Sequence, residues 1–361
     1  LSPTAIPGDP VATGTRTGDP PPGQRRTGLS YIPALDGIRG VAIVVIMGFH
    51  GGVFLTSGGF YSLDTFFALS GYLITSLLVA EWQRTARIRL RTFWARRARR
   101  LLPGLLVMVL GVSVLNAVLV PAGTYPTLRS DSLSSLFYYA NWHFIADGSN
   151  YFNQTGPTPP LIHMWSLAVE EQFYLFWPLI VLGVLALFKN RWALLVVCVA
   201  GALASAVEMG ALYSTADVNR VYYGTDTRAQ SLLVGAALAV GLSLWNGGRR
   251  RRHAAPTPGS ARRWGVTLVG LAGIAGSAVL WTKVSYNKAF AFRGGFLLAA
   301  LATTAVLFSV VTAPRAALAP RPLLGPAPLH RAHLLRDVPV ALPTVHLRGC
   351  DPGRFRGAGP V

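Results

Sequence analysis

The chain has 361 residues, of which 52% are hydrophobic and only 13% charged. That balance leaves too little polar surface for a soluble globule and points to an integral membrane protein. Lys and Arg number 33 against 14 Asp and Glu, a net charge of +19, but the arginines cluster between apolar runs, so orientation in a bilayer explains them better than nucleic acid does.

Residues 1–30 are rich in Gly, Pro, Thr and Arg without an apolar period, and read as a disordered cytoplasmic tail. Eight apolar runs long enough to cross roughly 30 Å of hydrocarbon follow. They lie near 38–57, 59–80, 101–121, 161–187, 191–212, 228–246, 264–281 and 293–313. The prediction is an all-α, polytopic transmembrane helix bundle. The stretch 132–146, with Phe137, Tyr138, Tyr139 and Trp142, is aromatic but short and reads as interfacial.

Connections decide orientation. Arg16, Arg25 and Arg26, the series from Arg84 to Arg100, Lys189 with Arg191, and Arg249 to Arg252 all fall on one side of the eight spans. Loop 122–160 holds one arginine, Arg129, and loop 213–227 balances Arg220 with Asp217 and Asp226. Positive charge accumulates inside, so a multi-pass protein of the cell membrane with a cytoplasmic N-terminus is predicted.

Charged groups inside apolar runs are costly and mark function. Arg39 and His50 share the first run, about 16 Å apart along a helix. His50 is a natural base for a hydroxyl nucleophile; the bland alternatives are an inter-helix hydrogen bond for His50 and a snorkelling anchor for Arg39. In the fourth run His163 and Glu170, seven residues apart, share a face. With the first span running to residue 57, Glu170 and His50 come to similar depths and can pair. Arg96 and Arg99, one turn apart at the entry to the third run, can grip phosphates at the inner surface or simply anchor the helix. Cys198 lies in an apolar run and Cys350 in the tail, with no metal-ligand spacing; no metal or bound cofactor is expected.

These residues resemble acyltransferase family 3, the integral membrane acyltransferases of extracytoplasmic carbohydrates. The resemblance covers about residues 31–313. It rests on LDGIRG at 35–40 with His50 beyond it, DTFFALSG at 64–71, RRARRLLP at 96–103, HMWSLAVEEQFYLFWP at 163–178 and YYGTDTR at 222–228. It implies acyl transfer, commonly acetyl, from cytoplasmic acyl-CoA as co-substrate to a hydroxyl of a carbohydrate or glycolipid acceptor. By resemblance Arg39, Arg96 and Arg99 engage the donor, His50 is the base and Glu170 orients it. Asp226 and Arg228 line the outer mouth, and Asp64, Ser70 and His163 support the acceptor or the structure. The partners are then the bilayer, acyl-CoA and the acceptor, with no nucleic acid.

The family usually has ten spans, and here the departure begins near residue 314. Residues 314–361 are irregular, and reading one codon choice for Leu334 to Pro343 from its second base gives SYGTYLWHYP, which resembles the family's ninth-span motif. The expectation is an incomplete membrane domain over 31–313 followed by an out-of-frame tail. An exposed helix face left by two missing spans weakens packing, so reduced or absent activity of this copy is part of that expectation. Two other readings stand beside the enzyme: a secondary transporter or flippase for a polar lipid-linked substrate, since buried Arg, His and Glu also serve proton relays, and a scaffold without chemistry. No inverted repeat supports the transporter.

Overall fold

The computed structural model describes residues 32–121, 123, 126–152, 159–214, 218–250, 260–285 and 289–312. The expectations of a disordered tail over 1–30 and of an out-of-frame segment over 314–361 concern residues outside these. The described residues are helical: α1 (Pro33–His50), α2 (Ser62–Thr85), α3 (Leu90–Leu119), α4 (Leu128–Leu136), α5 (Ala140–Ala146), α6 (Met164–Phe188), α7 (Arg191–Leu212), α8 (Val218–Tyr223), α9 (Thr225–Arg250), α10 (Ser260–Lys283) and α11 (Phe296–Thr312). A π turn, Ala291–Gly295, leads into α11. Among the described residues, eight helical stretches are long and apolar enough to cross a membrane, and no strand occurs.

The first span differs from its predicted bounds. Pro33 opens α1, where its missing N–H and fixed φ suit a helix start. Gly51 and Gly52 end it at His50, with Gly52 at φ 68°, a left-handed conformation that glycine adopts without penalty. The apolar residues beyond form two short turns, Phe54–Thr56 and Gly59–Tyr61. His50 is therefore the end of its helix rather than a residue seven positions inside it. The aromatic stretch near 132–146 forms α4 and α5, too short to cross.

Helix α2 is central, 67% of its span being buried against 11% for α1 and α3. Its closest neighbour is α9, and two glycines make that approach possible. A Cβ on Gly71 would collide with the carbonyl of Leu232, and one on Gly235 would collide with the carbonyl of Ala68. Each helix thus lays its backbone against the other's missing side chain. Polar bonds add specificity across α2: Trp177 Nε1 donates to Thr75 Oγ1 at 2.8 Å, and Thr65 and Thr303 hydroxyls meet at 3.2 Å. Helix α3 instead exposes Leu106, Val107, Leu110 and Val118, the face a lipid-facing helix presents.

Candidate functional site

The end of α1 and the start of α6 bring two sequence-predicted residues together. The His50 and His163 rings lie with centroids 4.8 Å apart at an interplanar angle of 88°. The third member is Tyr151, from the loop before α6, whose hydroxyl is 2.8 Å from His50 Nε2. The other ring nitrogen, Nδ1, lies 2.8 Å from the carbonyl oxygen of Ile46, one turn back in α1. His50 and His163 are both exposed over part of their surface. Desolvation of the rest of its ring, and secondarily the neighbouring His50, push the His163 imidazole below its ordinary pKa.

Glu170 does not join this cluster. It accepts hydrogen bonds from the hydroxyls of Ser70 and Tyr174, and the Tyr174 hydroxyl lies 2.8 Å from Ser70 Oγ. Among the described contacts none links Glu170 to His50, so the expected pairing is not made. The reason is helical rise: Glu170 is seven residues beyond His163, about 10 Å further along α6, whereas His50, at the very end of α1, stays level with His163. Ser70, buried on α2, serves as Glu170's partner. The guanidinium of Arg97 lies over the Tyr174 ring, 5.2 Å from its centroid, and over Phe93 at 5.8 Å.

Below the histidines a buried ion pair joins α2 to α9. Arg228 Nη2 lies 3.3 Å from the Asp64 carboxylate, both residues being fully buried, and Ser231 Oγ donates to Asp64 at 2.5 Å. Phe296 at 4.2 Å and Phe67, Tyr222 and Trp165 at 5.3 to 5.7 Å surround the guanidinium, so ring faces replace part of its lost hydration. Asp226 pairs instead with Arg220, at 3.0 and 2.5 Å, and Arg220 covers Trp142. The expected mouth of Asp226 with Arg228 is thus divided: two residues apart on a helix, they point about 200° from each other.

Arg96 and Arg99, expected by resemblance to engage a donor, occupy the other end of the bundle, because α2 starts beside His50 and runs away from it before α3 begins. Arg96 and Arg99 are exposed there. Arg39 pairs with Asp36 at 3.2 Å near the start of α1. A cavity of about 380 Å³ between α6, α7 and α9 is lined by Phe173, Phe176, Trp177 and Leu232, with Gln172 and Asp226 also on its wall. Neither histidine nor Tyr151 lines it. Among the described residues no cluster of His, Cys, Asp and Glu could hold a metal ion.

Tyr151 and Arg97 were not singled out by the sequence. For Arg97 a signal existed: Phe93, Arg97 and Leu101 repeat at four-residue spacing, which places Arg97 on the inward stripe and leaves Arg96 outward. Tyr151 stands in a polar loop without periodicity, and nothing local marks it.

A many-span helical bundle with a histidine–tyrosine cluster at one end and exposed arginines at the other defines a polytopic membrane protein with two separated polar sites. A family profile described as an acyltransferase domain matches residues 32–322, and the chain belongs to that family. It is 39% identical over 272 residues to the peptidoglycan O-acetyltransferase OatA of Listeria monocytogenes, covering 75% of this chain and 42% of that protein. It is 36% identical over 280 residues to the O-acetyltransferase OatA of Staphylococcus aureus, covering 77% of this chain and 44% of that protein. The chain thus spans less than half the length of these curated relatives. No solved structure gives a significant match. Family membership favours the acyltransferase expectation over the transporter and the scaffold.

Proposed function

We propose that this chain transfers an acyl group, acetyl in the first instance, from cytoplasmic acyl-CoA to a hydroxyl of a cell-envelope carbohydrate on the far side of the membrane. The observation that carries the reading is His50, hydrogen-bonded through Nε2 to Tyr151 and flanked by His163, at the end of the bundle opposite Arg96 and Arg99. The names of the relatives, O-acetyltransferases and in one case a peptidoglycan O-acetyltransferase, support the class of acceptor.

In this reading Arg96 and Arg99, both exposed, bind the donor's phosphates from the cytoplasm. Arg39, about 16 Å along α1 from His50, guides the donor's thioester arm between helices. His50 acts as general base on the acceptor hydroxyl. Glu170, through Ser70 and Tyr174, fixes the packing of α6 against α2 partway along that route. The Asp64–Arg228 pair locks α2 to α9 beneath the histidines, and Asp226 holds the start of α9 through Arg220.

The test is the purified protein in detergent with radiolabelled acetyl-CoA and a soluble N-acetylhexosamine oligosaccharide. Label on the sugar that is lost with His50→Ala, together with weakened donor binding in Arg96→Ala and Arg39→Ala, supports the reading. Unchanged donor affinity in Arg39→Ala would remove that residue's role, and sugar labelling undiminished by His50→Ala would remove the base.

A further inference from the structure

We propose that the cavity between α6, α7 and α9 binds the hydrocarbon chain of a glycolipid, a glycan joined to an uncharged lipid anchor; this names the acceptor of the acyl transfer and rests on that reading. At about 380 Å³ the cavity falls within the range of ligand sites, about 300–1,000 Å³. Phe176, Ile180, Val197 and Leu232 wall it with hydrocarbon, and Gly201 and Ala229 give it depth. The polar lining residues are Gln172, Thr225 and Asp226, and they stand at the end nearer His50. On α6, Gln172 precedes Phe176 and Ile180 by one and two turns, and on α9, Asp226 precedes Ala229 and Leu233 in the same way.

The cavity opens into the bilayer. Phe176 and Ile180 are 57% and 44% exposed on a helix that is long and apolar enough to span a membrane. From Gln172 to Ile180 the wall runs about 12 Å, close to half of the roughly 30 Å of hydrocarbon. That depth and that gradient of polarity match one lipid chain of the leaflet on the His50 side.

The rim selects the head group. Gln172 is already committed: its amide nitrogen donates to the Tyr138 carbonyl and Asn141 Oδ1, and its oxygen accepts from Thr225 Oγ1 and Trp142 Nε1. Arg220 is bound by Asp226, and Asp226 shares a hydrogen bond with Glu208. One guanidinium against two carboxyl groups offers no net positive charge to a phosphate. Glu208, seven residues beyond Gly201 and on the same face of α7, is partly exposed, and a carboxylate accepts the hydrogen bonds that sugar hydroxyls donate. Trp142 adds a partly exposed indole. The rim also stands near the base: Asn141 Nδ2 donates to both Tyr223 O and Thr225 Oγ1, and the Tyr223 ring is 6.1 Å from that of Tyr151, the partner of His50. A glycan anchored at the rim therefore has His50 within reach of its outer sugars.

The test uses the full chain in liposomes with labelled acetyl-CoA and one N-acetylhexosamine oligosaccharide in three forms: soluble, as a long-chain alkyl glycoside, and joined to the same alcohol through a phosphodiester. Ala229→Phe and Val197→Phe fill the groove from two walls, with unfolding temperature checking that each folds. Each is expected to raise KM for the alkyl glycoside relative to the soluble sugar by about 10-fold or more, the scale of a filled apolar pocket. A ratio unchanged in both variants, with all sugars labelled, overturns the groove and leaves acyl transfer standing. A phosphodiester form used as well as the glycoside overturns the uncharged anchor. Label on none of the sugars overturns acyl transfer, and a separate measurement without acetyl-CoA then decides the groove. A photoreactive alkyl glycoside is expected to cross-link to Phe176 or Ile180 and to be displaced by excess alkyl glycoside; equal displacement by phosphatidylethanolamine marks an ordinary bilayer lipid and overturns the assignment.

Discussion

His50 and His163 meet edge to face with ring centroids 4.8 Å apart, although they lie 113 positions apart in the sequence. Two imidazoles at this distance repel when both are charged, and His163 is the one whose pKa is pushed down. The folded state therefore binds a proton at His163 less readily than the unfolded chain, whose imidazole titrates near about 6.5. The stability associated with neutral His163 is complete above that value and is lost as pH falls through the lower folded value. The melting temperature is predicted to fall on acidification below about pH 6.5, with a shallower fall in His163→Gln. An identical fall in the variant would contradict this.

Asp64 is predicted to be among the most sensitive positions for stability. Asp64→Asn or Asp64→Ala leaves Arg228 as a buried charge without a carboxylate, a change that costs about 3–5 kcal/mol. Adding Arg228→Met to Asp64→Ala removes the stranded charge and is predicted to recover much of that loss. Thermal unfolding of the single and double variants in detergent measures the difference. A double variant no more stable than Asp64→Ala would show that the pair's value lies elsewhere.

The glycine contacts between α2 and α9 predict a position-specific intolerance. Gly71→Leu and Gly235→Leu drive side chains into the facing backbone, and overpacking of this kind costs about 1–3 kcal/mol or more. Gly111, on α3, has nothing within 4 Å of where a Cβ would stand. Gly111→Leu is accordingly expected to unfold at nearly the wild-type temperature. Equal effects at all three positions would contradict the packing described.

The arginines of α3 are predicted to separate into two roles. Arg97 covers Tyr174 and Phe93, so Arg97→Ala should lower stability by about 0.5–2 kcal/mol, the range of a cation–π contact. Arg96 and Arg99 are exposed, so their alanine variants should leave stability within about 0.5 kcal/mol while raising KM for acyl-CoA. Calorimetry of unfolding and steady-state kinetics on the same preparations distinguish the two groups.

Periodicity and charge carried the reading of the fold a long way. Each apolar run after the first meets a helix near its predicted bounds except the third, whose helix α3 begins at Leu90, eleven residues before the predicted start, because the arginine-rich segment ahead of the apolar run is helical too. The first failed at its end because hydropathy continues through Val53, Phe54 and Leu55 while the backbone turns at Gly51 and Gly52. That single boundary moved His50 to the helix end and removed the basis for pairing it with Glu170. Residues within one helix could be assigned to faces from spacing, as Arg97 shows. Partners contributed by loops could not: Tyr151 reaches His50 only because the chain before α6 folds back over the end of α1, and no local pattern encodes that return. Asp64 and Arg228, 164 positions apart, were each visible as costly charges, but their mutual pairing required the packing of α2 on α9.

The most direct test of acyl transfer across the membrane places substrate and acceptor on opposite sides of it. Sealed proteoliposomes are prepared with both protein orientations, with acetyl-CoA carrying labelled acetyl inside and an impermeant N-acetylhexosamine oligosaccharide outside. Wild-type chain is predicted to label the external sugar, and His50→Ala to label none while retaining acetyl-CoA binding. An external sugar that stays unlabelled with wild-type protein, or that is labelled equally by His50→Ala, would contradict a membrane-crossing acyltransferase centred on His50.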